Sequence, residues 1–116
     1  MQVLSDNDRL LNELYTELIN KDFKVTKEAI DDVSSDKRYM GDISTFLELY
    51  NNLTTDIINT GIIISAIVAF VKRSFSNFKV WIVTDTLEMS ADEYLAMSDN
   101  ARKAVEENFK VVIKQK

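Results

Sequence analysis

From Ile57 to Val71 the chain runs for 15 residues without a charged side chain, interrupted only by Asn59, Thr60, Gly61 and Ser65. So apolar a stretch is driven out of water, and whatever the chain folds into has to be arranged around it. Its length exceeds that of a typical strand of roughly five or six residues and favours a helix, despite the β-branched Ile62, Ile63, Ile64, Ile67, Val68 and Val71. Lys72 and Arg73 close it where a helix dipole favours cations.

Two burial sites suit such a helix, a protein core or a bilayer. A membrane span needs about 20 apolar residues, so the run is short for one. Flanking charge argues the other way, because no Lys or Arg lies between residues 39 and 71 whereas Lys72, Arg73 and Lys79 follow. Gly61, Ser65 and Ala69 recur at every fourth position and align small side chains. In lipid that is a helix-association surface, and in water a place where two helices cross closely. Ser65→Leu separates the two, by overpacking a core in one case and by weakening association in detergent in the other.

The flanks carry apolar faces of their own, which makes the core helix the economical reading. Ser5 is placed to cap a helix over 6–20, with Asp6 and Asp8 in its first turn and Leu10, Leu11, Leu14, Tyr15, Leu18 and Ile19 at helical spacing. Thr26 is a plausible cap for a short second helix presenting Ala29, Ile30 and Val33, and 34–41 reads as a loop. A third helix starts near Asp42 to Ser44 and aligns Phe46, Leu47, Tyr50, Leu53 and Ile57. After Asn77 the pattern changes, and 78–84 and 109–114 are short, aromatic and β-branched runs that read as strands. Between them Ser90-Ala91-Asp92-Glu93 is a capping box, with Met89 and Tyr94 spaced as a hydrophobic staple, and Ser98-Asp99-Asn100 can split the helix that follows. A strand, a helix and a strand in this order make a β-α-β unit with parallel neighbouring strands. Two strands alone are marginal, so the sheet needs the helices, residues 86–89 or a second subunit beside it.

The expected fold is therefore α+β and mainly helical, a single domain over 1–116. Acidic amphipathic helices in 1–56 surround a central apolar helix at 57–75, followed by the β-α-β unit in 78–116.

The composition removes most named chemistries. With no His and no Cys there is no Ser-His-Asp system, thiolate nucleophile, zinc site or disulfide. Gly41 and Gly61 are the only glycines and lie too far apart for a phosphate-cradling loop. A net charge of −5 argues against tracking a nucleic-acid backbone. That charge is concentrated in residues 1–58, with 12 acidic and 6 basic side chains, while residues 59–116 carry 7 and 8. Lys79, Lys110 and Lys114 interleave with Phe78, Trp81 and Phe109, but they offer only a modest cationic groove, and the aromatics read mainly as core. The first residues show no basic segment followed by an apolar one, which makes a cytoplasmic location the default.

The function expected from this is that of a small acidic, non-enzymatic protein-binding module, an adaptor, inhibitor or assembly component needing no cofactor or metal. It would present Glu13, Glu17, Asp31, Asp32 and Asp36 to a partner with a basic surface, with homo-oligomerisation left open. The alternative is a single-pass membrane protein that oligomerises through Gly61, Ser65 and Ala69. A third reading, carboxylate catalysis through a pair such as Glu13 and Glu17, has only their shared helical face to support it.

Overall fold

The computed structural model describes residues 1–29, 45–49, 60–105 and 109–116. In chain order the elements are β1 (Gln2–Ser5), α1 (Asp8–Asn20), β2 (Val25–Ala29), β3 (Thr45–Leu49), α2 (Thr60–Ser74), β4 (Phe78–Val83), β5 (Glu88–Ser90), α3 (Ala91–Ala96), α4 (Asp99–Val105) and β6 (Lys110–Gln115). They form a six-stranded sheet in the order β2-β3-β1-β6-β4-β5. Its central strands β1 and β6 are parallel, with Val3 beside Val111 and Leu4 beside Val112. All the other pairings are antiparallel.

Strand alternation divides the apolar residues between two faces. One face carries Val3, Leu47, Leu49, Val80, Ile82, Val111 and Ile113, and buries them in one cluster with Leu10, Leu11, Leu14 and Leu18 of α1 and Ile63, Ile64, Ile67, Phe70 and Val71 of α2. Tyr94 of α3 joins them and is completely buried. The other face holds a smaller cluster of Leu4, Val83 and Val112, flanked by Phe46 and Trp81.

The mainly helical expectation is thus overturned. The core is a mixed sheet covered by short helices rather than a helical group around one central helix. The apolar run does become a helix, α2, but it lies on the sheet with Ile62, Ser65 and Ala69 facing away from the core. At 15 residues α2 is about 22 Å long, against a hydrocarbon thickness of about 30 Å. Among the described residues no helix is long and apolar enough to cross a membrane.

Two strands stand where helices were expected, and β1 stands where no element was. Val25–Ala29 is the edge strand β2, exposed except at Val25, and not a helix capped by Thr26. Thr45–Leu49 is β3, not the opening of a third helix. Phe46, Leu47 and Leu49 are apolar because both faces of β3 meet apolar neighbours, and over so short a window that pattern also fits a helical period. Ile30, Val33, residues 34–44, Tyr50, Leu53 and Ile57 lie outside the described residues.

The β-α-β expectation is corrected as well. β4 and β6 are neighbours but antiparallel, with Trp81 opposite Val112. The intervening β5 reverses the chain against β4, so the helical crossover runs from β5 to β6 and leaves β4 between those two strands. Part of residues 86–89, one of the expected neighbours of the sheet, does pair with β4.

Helix ends follow local chemistry. The cap of α1 is Asn7, whose side chain accepts from the Leu10 amide at 3.0 Å, while Ser5 accepts from the Asn7 amide at 3.1 Å one step earlier. Asp22, at φ 67°, ends α1 in the left-handed region. This lets the Phe23 amide donate to the Leu18 carbonyl at 3.0 Å and the Asp22 amide to the Ile19 carbonyl at 3.0 Å, the paired closure of a Schellman motif. Ser90 caps α3 by accepting from the Glu93 amide at 3.1 Å, and the expected break near Ser98 separates α3 from α4.

Candidate functional site: a cationic groove beside β4

The Ser90 cap shapes the surface beside β4. β5 pairs with β4 only from Trp81 to Val83, because at Ser90 the chain leaves the sheet and turns into α3. Among the described residues no strand lies beside Phe78–Val80 on that side. Instead a groove of about 820 Å³ follows this stretch, within the range of roughly 300 to 1,000 Å³ typical of ligand sites.

The floor and the helical wall of the groove are apolar. Val68 and Val71 come from the end of α2, Val80 from β4 and Ala91 from the start of α3. Phe75 sits 6.2 Å from Phe78, ring edge to ring face, and fixes the turn between α2 and β4. The opposite wall carries Trp81, Lys79 and Lys114, while Lys72 and Lys116 complete the rim. Among the described residues Asp92 is the only acidic side chain in the lining, and it lies 3.7 Å from Lys72. A chain that is acidic as a whole thus has a basic concavity.

Lys79 and Lys114 face each other directly across β4 and β6. Like charges in that position destabilise a sheet. The Trp81 ring offsets part of the repulsion, with the Lys79 ammonium 4.9 Å and the Lys114 ammonium 5.8 Å from its centroid. Glu88 pairs with Lys114 at 3.0 Å, whereas Lys79 has no carboxylate within ion-pair distance among the described residues.

The structure separates the residues singled out from sequence. Glu13 pairs with Arg9 at 3.6 Å on the exposed side of α1. Glu17 is half-buried between two cations of its own chain, Arg73 at 3.1 Å and Lys21 at 3.9 Å, and so ties α1 to α2. Asp31, Asp32 and Asp36 lie outside the described residues. Gly61 is buried while Ser65 and Ala69 are exposed on α2. Among the described residues no three His, Cys, Asp or Glu side chains group as metal ligands.

In the sequence, Phe78, Trp81 and Phe109 with Lys79, Lys110 and Lys114 read as one modest set. Folding sorts them. Phe109 goes into the core, stacked at 6.3 Å on Tyr94, and Lys110 falls opposite Val83 at the far end of β4. Phe78, Lys79, Trp81 and Lys114 stay together at the groove. The legible signal was the alternation in Lys79-Val80-Trp81-Ile82, which puts Lys79 and Trp81 on one face. In comparisons with known proteins, no family model matches the chain, and no curated protein or solved structure does either.

Proposed function

We propose that the chain is a non-enzymatic protein-binding module and that the groove beside β4 receives a segment of its partner. The observation that carries this reading is the Lys79–Lys114 pair, two like charges set opposite each other at the mouth of an apolar groove. Like charges so placed cost the sheet stability that the Trp81 ring and Glu88 have to offset, and sites where a fold works against its own stability are where binding is to be sought. The rest of the lining has the composition of a recognition site, an aromatic anchor and aliphatic floor inside a polar rim.

This reading moves the partner-binding surface away from α1. Glu13 and Glu17 already have cations of their own, so a basic partner would have to displace Arg9, Lys21 and Arg73. The experiment is a selection from a displayed library of random peptides on the folded chain, followed by titration of the winners. Trp81 is the only tryptophan and lines the groove, so its emission reports occupancy without a label. Winners that shift Trp81 emission and lose affinity with Lys79→Glu support the groove. Winners that leave Trp81 silent and lose affinity with Glu13→Lys return the site to α1, and a selection that enriches nothing removes the binding-module reading.

A further inference from the structure

Resting on that reading of the groove, we propose a specific occupant: an extended segment of a partner protein in which acidic and small apolar side chains alternate, added as a strand to the Phe78–Val80 edge of β4. Three features of the groove define this chemistry. The first is the edge itself, which β5 leaves uncovered when α3 begins. Three residues of strand span about 10 Å; Lys79 turns its main-chain groups to β6 and the Phe78 amide is donated to the Phe75 carbonyl at 3.0 Å, so a peptide is aligned here by the Phe78 carbonyl and the Val80 amide.

The second feature is the difference between the two walls. A strand laid along this edge points successive side chains to opposite faces of the sheet. On one face they meet Lys79, Lys114 and the Trp81 ring, and on the other Val68, Val71 and Ala91. The complement of those walls is a carboxylate at every second position, with a small aliphatic side chain between.

The third is charge. Among the described residues four lysines and one aspartate line the groove of a protein whose net charge is −5. An acidic segment is repelled by most of the surface and attracted here, which favours this site over others. The same lysines disfavour a second copy of the chain as occupant, because a two-fold pairing centred on this stretch sets Lys79 against its own equivalent. The other outer strand is blunted in a similar way, with Lys27 and Glu28 along β2.

The test uses four blocked synthetic hexapeptides on the intact chain, read by Trp81 emission: Val-Glu repeated three times, Val-Lys repeated three times, a block version with three Val followed by three Glu, and the Val-Glu peptide N-methylated at alternate residues. The Val-Glu peptide should bind at least tenfold more tightly than each of the other three. Lys79→Glu should weaken it tenfold or more and strengthen the Val-Lys peptide, an exchange that simple damage to the fold would not produce. Equal binding of the N-methylated peptide overturns strand addition, and equal binding of the block peptide overturns the alternation. Displacement of the Val-Glu peptide by an oligothymidylate at equal concentration, or light scattering that shows dimers dissociated by Lys79→Glu, overturns the choice of occupant. If none of the four binds while displayed peptides of another composition shift Trp81, this proposal fails and the binding-module reading stands. If neither set moves Trp81, both fail.

Discussion

Ile67 and Ser65 lie two positions apart on α2, and the structure assigns them opposite fates. Ile67 is fully buried between the helix layer and the sheet, whereas Ser65 is exposed. Ile67→Ala removes three carbons, about 2.4 kcal/mol at roughly 0.8 kcal/mol per buried methylene. The cavity left behind raises this toward the middle of the range of about 2 to 5 kcal/mol seen for such truncations. For a chain of 116 residues, an unfolding entropy of about 2.1 cal/mol/K per residue means that 1 kcal/mol moves Tm by about 4 °C, so Ile67→Ala should lower it by about 12 °C. Ser65→Leu should change stability by less than about 0.5 kcal/mol, or about 2 °C, as surface substitutions do. This corrects the sequence-based expectation that a leucine at 65 would overpack a core. The assay is thermal unfolding by circular dichroism, with urea titration to check that both variants unfold in one step, and Ile67→Val, expected to cost about 1 kcal/mol, stands in if Ile67→Ala does not fold. Comparable losses for Ser65→Leu and Ile67→Ala would refute the placement of α2 on the sheet.

Three further outcomes follow from the helix ends and the α1–α2 contact. Asp22→Gly should raise stability by about 0.5 to 1 kcal/mol in urea titration, since a glycine bears the left-handed conformation at φ 67° without a Cβ clash. Ser90→Ala should cost about 1 kcal/mol by loss of the hydrogen bond to Glu93, and Ser90→Asp should recover part of it, as measured by chemical denaturation. A double-mutant cycle on Glu17 and Arg73 should give a coupling of about 0.2 to 1 kcal/mol that shrinks with added salt, because Arg73 is largely exposed; a coupling above that, unchanged by salt, would contradict a solvent-screened pair.

The parts of the fold that were legible in the sequence are those whose signal is complete within a short window. The helical spacing of Leu10, Leu14 and Leu18, the uncharged run that becomes α2, and the Ser90 to Glu93 cap each have a local cause. β1 has no such signal. Val3 and Leu4 are buried on opposite faces because β3 and β6 flank them, a circumstance set by residues 46 and 112 and invisible around position 3. β2 is an edge strand with one buried residue and carries no alternation to detect. The direction of β6 relative to β4 depended on whether Glu88–Ser90 was a strand, and three residues are too few to show it. The groove was half legible: Lys79, Trp81 and Lys114 stand out in the sequence only together with Phe78, Phe109 and Lys110, and the uncovered edge arises only from where β5 ends against β4.

The position of β6 bears on how the chain reaches this structure. Gln2 pairs with Lys110, so two strands more than a hundred residues apart meet in the middle of the sheet. Until β6 arrives, β2-β3-β1 and β4-β5 are separate ribbons, each with an apolar strand edge waiting for a mate. Contacts of such sequence separation come at a high loop-closure cost and slow the search. On a ribosome they cannot form before the last strand has been made, and an earlier-born ribbon spends that interval open to pairing with another nascent chain. The step that completes the fold is therefore also the one that ends its exposure to aggregation, and substitutions in Val111, Val112 or Ile113 should be felt in soluble yield before they are felt in the folded protein.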